Sequence, residues 1–411
     1  MKERSVIDYL RAIGPAAIIA ASIIGPGTVT TMSVLGASYR YEAIWIIVIA
    51  VILAYFYQEA SIRLTIAKRK SLMQAIREQY GKHIALLVFL AGFAGALAFE
   101  AGNFIGAALG MQYLAPFISV SAWASILAIF ALIACILGIY GIFENVNRAL
   151  IAIMSFAFII TAIISRPSPG TIVSEGFSFK IPGGNYWLVL AAFATTIPPT
   201  VPLGISLFTL KKYSRTLNNE HPRKLIGLSL FDLRTNTIVM GLITISIIIC
   251  AGTVIHPLGI QIKSAADMAI QLTPLLGPLA GALFALGLWA AGWSSGLVHI
   301  EAHPSFLSDA LGIPDDPKAP RTLALKTFIA LFPIAIIYLA GSSPVALIIT
   351  AQALNGIVIP IVAFVLWRVT SNKEYLGEYA NDTAHNVILG LLFVISTILA
   401  IRTFLSLLKI I

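Results

Sequence analysis

The stretch PAAIIAASIIGPGTVTTMSVLG (15–36) decides how this chain folds. It is apolar almost throughout, yet Gly25-Pro26-Gly27-Thr28 interrupts it where the middle of a bilayer would fall. A second interruption, Ile197-Pro198-Pro199-Thr200-Val201-Pro202, lies in the sixth apolar segment. Proline has no N–H to give a helix, and glycine tolerates backbone that leaves one. Backbone freed in this way inside a membrane survives only where it is buried in protein or lines a cavity. Paired breaks in corresponding halves of a chain point to the central site of an inverted-repeat secondary transporter.

Composition fixes the class. Apolar residues make up 58% of the 411 and charged residues only 11%, and the mean hydropathy is +0.92. A soluble domain carries about 25% charge, so the chain is expected to be an integral membrane protein with a single transmembrane domain. Cys135 and Cys250 both fall in apolar segments and give no disulfide framework.

Eleven apolar segments reach spanning length: 13–36, 43–66, 83–113, 121–142, 148–165, 187–210, 227–255, 278–300, 323–341, 345–368 and 385–408. The first is too long for a cleaved signal peptide and leads straight into another span. With the N-terminus in the cytoplasm, the inner ends hold 21 of the 27 Lys and Arg, among them Arg63, Lys68, Lys70, Arg223, Arg321 and Arg368. The outer ends hold the other 6: Arg40, Arg166, Lys180, Lys263, Arg402 and Lys409. This is the positive-inside asymmetry of a plasma-membrane protein. It accounts for the net charge of +9 without a nucleic-acid partner.

Segments 1–5 (about 13–165) and 6–10 (about 187–368) read as two five-helix repeats, with an extra helix at about 385–408. The breaks fall in the first helix of each. The expected fold is all-α, of the leucine-transporter type (LeuT): a 5+5 inverted repeat plus one helix, with helices 1 and 6 broken.

Several blocks resemble the NRAMP family of divalent metal transporters (natural resistance-associated macrophage proteins). IWIIVIAVILAYFYQEASIRLTIA (44–67) is similar to the family's second helix and NFIGAALGMQYL (103–114) to its third. Glu144 with the NVNRAL that follows resembles the start of its fifth, and AAGWSSGLV (290–298) its eighth. AQALNGIVIPIVAFVLWRVTSNKEYLGEYAN (351–381) resembles its tenth helix and the loop beyond.

The resemblance also brings departures. Where the family carries Asp-Pro-Gly-Asn in helix 1, with Asp and Asn on the metal, this chain has Gly25 and Thr28 at those positions. The family's Met-Pro-His of helix 6 is Ile197-Pro198-Pro199 here, and its second helix-6 histidine aligns with Gly204. Of an acidic pair in helix 3 that serves the proton route, Glu100 keeps the first and Asn103 replaces the second. Gln352 matches the family's ligand-supporting glutamine. The resemblance thus implies substrate contacts at Gly25, Gly27, Thr28, Thr196, Ile197, Thr200, Gln352 and Asn355, with Glu100 and Asn103 as coupling candidates.

Charge decides what that substitution means. A carboxylate at ~4 Å from a divalent ion is worth about 8 kcal/mol gross at an effective dielectric of ~20. Hydroxyls of Thr28, Thr195, Thr196 and Thr200 do not match it, and loss of methionine removes the soft ligand. Family-typical manganese or iron transport is therefore disfavoured. Three substrates stay open: magnesium, which is hard and keeps its waters, a monovalent ion, or a small neutral or zwitterionic organic solute. A neutral solute would want a cavity that is polar, uncharged and wider than a metal site. A non-transporting sensor is the alternative class. No nucleophile–base set, phosphate loop or zinc spacing suggests an enzyme, no cofactor is implied, and a monomer is expected to suffice.

Other charged residues have local readings. Glu100 is an intramembrane acid, a functional candidate by default, or else a structural hydrogen-bonding group. Glu59 and Arg63 are spaced to pair at i, i+4. Asp232 and Arg234 open segment 7 and are expected to anchor it at the interface. His299 and His303 share a helix face while Glu301 points elsewhere. Near the end of segment 8 they read as interfacial residues, with a metal or proton site as the weaker alternative.

Overall fold

The computed structural model describes residues 14–214, 216–217, 220–340 and 343–407. It is helical, with no strand among those residues. The first segment is two short helices, α1a (Pro15–Ile23) and α1b (Pro26–Tyr39). Then come α2 (Ile44–Lys68), α3 (Leu72–Leu114), α4 (Val120–Leu137) and α5 (Tyr140–Ile164). The sixth segment is again two helices, α6a (Tyr186–Thr196) and α6b (Val201–Tyr213). The remainder are α7 (Pro222–Cys250), α8 (Ala280–Leu311), α9 (Pro320–Ala340), α10 (Pro344–Ile357 and Ile359–Ser371) and α11 (Thr383–Leu407).

Ten helical stretches are long and apolar enough to cross a membrane among the described residues. The first segment is not among them because its halves have 9 and 14 residues. Together they match the ~20 residues a crossing needs, which makes eleven.

Prolines make the breaks. Pro26 and Pro202 sit in the first turns of α1b and α6b, where a missing N–H costs nothing. Pro360 does the same for the second half of α10, which starts after a kink at Val358 that hydropathy does not mark. Two segments run further than their hydropathy suggested. α3 begins at Leu72, held by a capping box of Ser71 and Gln74, and bends at Gly81 (φ 82°). α8 continues to Leu311.

The longest interface joins α3 to α8. Glycines permit it: a Cβ on Gly110 would lie 2.3 Å from the Ala285 carbonyl, and one on Gly292 2.4 Å from that of Asn103. α1a packs on α6b and α1b on α6a, so the two breaks face each other.

Polar contacts gather at the two ends of the bundle. At one, Arg223 pairs with Glu378, Lys68 donates to the Tyr375 carbonyl, and Asp309 accepts from Ser71 and Gln74. Arg63 pairs there with Glu59 at 2.8 Å, at the spacing expected. At the other, Arg40 pairs with Glu175, and the Trp45 indole donates to the Lys180 carbonyl. Asp232 is buried and does not anchor a membrane interface. Its Oδ2 accepts the N–H groups of Gly14 (3.2 Å) and Ala16 (3.0 Å), capping α1a. A helix start leaves such donors unsatisfied, and Pro15 between them has none to offer.

Candidate functional site

The break in α1 is tied, not open. Thr28 Oγ1 donates to the Ile23 carbonyl at 2.5 Å, satisfying an oxygen that the interrupted helix leaves free. The same oxygen lies 2.6 Å from Thr195 Oγ1. A hydroxyl has one hydrogen, so Thr195 is the donor and Thr28 accepts. These two bonds join α1a, α1b and α6a at a single atom. Replacing Thr28 with valine strands the Ile23 carbonyl and removes Thr195's acceptor. We expect a loss of about 1–3 kcal/mol, read from unfolding in detergent, with Thr28→Ser losing far less.

The α6 break is satisfied from α2. Tyr57 donates to the Pro199 carbonyl at 3.4 Å and Ser61 to that of Pro202 at 2.5 Å. Ile197 is buried, and its N–H bonds the Phe193 carbonyl. Thr196 bonds within its own helix, to the Ala192 carbonyl at 3.1 Å. Tyr57 and Ser61 did not stand out in the sequence because capping from a neighbouring helix leaves no local pattern.

Gln352 sits directly on Gly27, whose Cβ would meet its Nε2 at 2.2 Å. Gly25 is buried in the same layer of α1. Asn355 Oδ1 and Pro199 both approach Gly95 of α3. On α3, Asn103 donates to Glu100 Oε2 at 3.2 Å, while Glu100 Oε1 faces Gly296 of α8. Much of this polar surface is unpaired among the described residues: both amide atoms of Gln352, Asn355 Oδ1, Asn103 Oδ1 and Glu100 Oε1. All four side chains are buried.

A cavity of about 30 Å³ opens beside the α6 break, bounded by Pro198, Thr200, Gly204, Phe99, His299 and His303. It corrects two expectations. His299 and His303 are buried and face this cavity instead of an interface, because α3 and α6b pack over this part of α8. Imidazoles therefore stand near the α6 break, and the space is narrow, about one water, where a neutral solute would want a wider cavity. His303 Nδ1 bonds the His299 carbonyl at 2.8 Å. A carbonyl can only accept, so the hydrogen is on Nδ1 and Nε2 keeps a lone pair, which has no partner among the described residues. Phe99 stacks on His299 at 5.0 Å. Glu301 points away and pairs with Lys326 at 2.7 Å, as its phase on the helix predicts. No group of three or more His, Cys, Asp or Glu that could hold a metal occurs among the described residues.

An all-helical membrane bundle with opposed breaks in its first and sixth crossings has the architecture of the broken-helix transporters. The chain belongs to the Nramp family (natural resistance-associated macrophage protein-like), whose sequence profile matches residues 16–406. It is 27% identical over 391 residues to the divalent metal cation transporter MntH of Deinococcus radiodurans, covering 94% of this chain and 87% of that one. It is 26% identical over 408 residues to MntH of Bacillus subtilis, covering 98% and 93%. Its fold resembles the Eremococcus coleocola manganese transporter solved with an aromatic bis-isothiourea compound: TM-score 0.81, 19% identity, 99% and 89% covered. It also resembles MhsT solved with L-phenylalanine: TM-score 0.65, 15% identity, 98% of each chain covered.

Proposed function

We propose that this protein moves a divalent cation across the cell membrane by alternating access, the ion passing between the breaks of α1 and α6. The observation that carries the reading is Gln352. It is fully buried, and neither atom of its amide has a partner among the described residues. Leaving such a group unsatisfied costs about 1–3 kcal/mol, and a bound ion with its water would relieve it. Asn355, Asn103 and Glu100 add three more unpaired oxygens from helices around the same breaks. Neutral oxygens with one carboxylate suit a hard, hydrated cation such as magnesium. Gly25 and Thr28 offer no charge, which disfavours manganese and iron there. The names of the curated relatives support a divalent metal as cargo. The small cavity favours an ion over an organic solute or a sensor's ligand.

In this reading residues 13–165 and 187–368 are inverted repeats, a monomer suffices, and the N-terminus and the end bearing Arg63 face the cytoplasm. Glu100 is the coupling residue, with Asn103 as its hydrogen-bond partner. Uptake into proteoliposomes tests the scheme. Magnesium flux should exceed manganese flux, and any accompanying acidification should vanish in Glu100→Gln. Manganese uptake without magnesium uptake would overturn the selectivity, and flux of neither ion would overturn the transport reading.

A further inference from the structure

A groove of about 530 Å³ runs down the outer face of the bundle between α3, α10 and α11. Leu87, Ile361, Phe364 and Phe393 form its walls, with Tyr80 and Arg368 also lining it. Leu87, Ile361 and Phe364 are 53%, 37% and 43% exposed, so the slot opens toward the surrounding hydrocarbon. Pro360, one of its lining residues, starts the second half of α10 after the kink at Val358.

Arg368 lies in the last turn of α10. Its guanidinium makes no hydrogen bond or ion pair among the described residues, whereas Arg63 and Arg223 at the same end are both paired. A free guanidinium beside an apolar slot complements one kind of molecule, a chain carrying an anionic head. Guanidinium forks onto phosphate oxygens. Cationic pockets between transmembrane helices at the headgroup level take anionic lipid. The volume is many times the ~30 Å³ share of one water, and walls this apolar suit neither water nor a free ion.

We propose that this groove binds one anionic phospholipid, with an acyl chain between Leu87, Phe364 and Phe393 and the phosphate on Arg368. The site is separate from the breaks of α1 and α6 and does not depend on what is transported.

Trp367 reports on it, since its ring lies 6.5 Å from Phe364 and 6.4 Å from Phe393. The full chain is reconstituted in phosphatidylcholine bilayers. Acyl-brominated phosphatidylglycerol or acyl-brominated phosphatidylcholine is titrated in. The Trp367 signal is the difference from Trp367→Phe. Phosphatidylglycerol should quench it at about fivefold lower mole fraction, the equivalent of ~1 kcal/mol for one cation at the headgroup level. Arg368→Gln should abolish that preference and leave quenching by phosphatidylcholine unchanged. Arg223→Gln should keep the preference, because Arg223 is already paired and lies outside the groove. Equal quenching by the two lipids would overturn the proposal, as would a preference that survives Arg368→Gln or disappears in Arg223→Gln. Displacement by soluble glycerol phosphate would also overturn it, since that would mean a phosphate site without a chain.

Discussion

Gln352→Leu is expected to abolish cation flux and, at the same time, to leave the protein as stable as before or more so. The two effects separate because the Gln352 amide makes no hydrogen bond among the described residues. It is wholly buried against Gly27, so the folded state already bears the cost of desolvating it. Removing a buried polar group that has no partner relieves about 1–3 kcal/mol. Leucine is close in volume and branches later than valine, so it fits with little repacking. A structural glutamine would behave in the opposite way, losing stability when replaced. Parallel measurement of thermal unfolding in detergent and of uptake into proteoliposomes distinguishes the two. Retained flux in Gln352→Leu would remove this layer from the substrate path.

Much of the fold was legible because the bilayer writes it into the sequence in a simple form. Length and hydropathy give each crossing, and proline with glycine gives the two central breaks. Glu59 and Arg63 were legible because helical spacing alone brings them together. What stayed hidden is tertiary. Asp232 looked like an interface anchor since it opens an apolar run, yet it caps α1a from more than 200 residues away. His299 and His303 looked interfacial since hydropathy falls at that point. They are buried because α3 and α6b cover them, which no window along α8 can reveal. The kink in α10 follows from Pro360, yet hydropathy hides it, as the segment is apolar on both sides. At the site, the resemblance implies a substrate contact at Thr28 and gives no sign of its structural bonds. The structure uses its only hydrogen to close the α1 break and gives one of its lone pairs to Thr195. The resemblance to a family supplied Gln352, but not that its amide would be left unpaired.

Arg63→Met is expected to be the most destabilising single change at the Arg63 end of the bundle. The Arg63 and Glu59 side chains are only 10% and 6% exposed. Arg63 Nε and Nη2 donate to the two Glu59 oxygens at 2.8 and 3.2 Å. Nη2 also donates to Asn381 Oδ1 at 2.7 Å, and Nη1 donates to the Tyr379 carbonyl. The network thus fastens α2 to the segment that leads into α11. Without the guanidinium, Glu59 keeps only His385, at 3.5 Å, as a neighbour of opposite potential charge among the described residues. Breaking a buried pair by deleting one partner costs about 3–5 kcal/mol, most of it the penalty of the charge left behind. The double variant Glu59→Gln/Arg63→Met leaves no such charge, so it should recover most of the loss. Glu59→Gln alone should fall between wild type and Arg63→Met, because Arg63 retains Asn381 and the Tyr379 carbonyl. Unfolding free energies of the four proteins in one detergent complete the cycle. If the double variant is as unstable as Arg63→Met, the stranded carboxylate is not the cause, and the lost link to Tyr379 and Asn381 is.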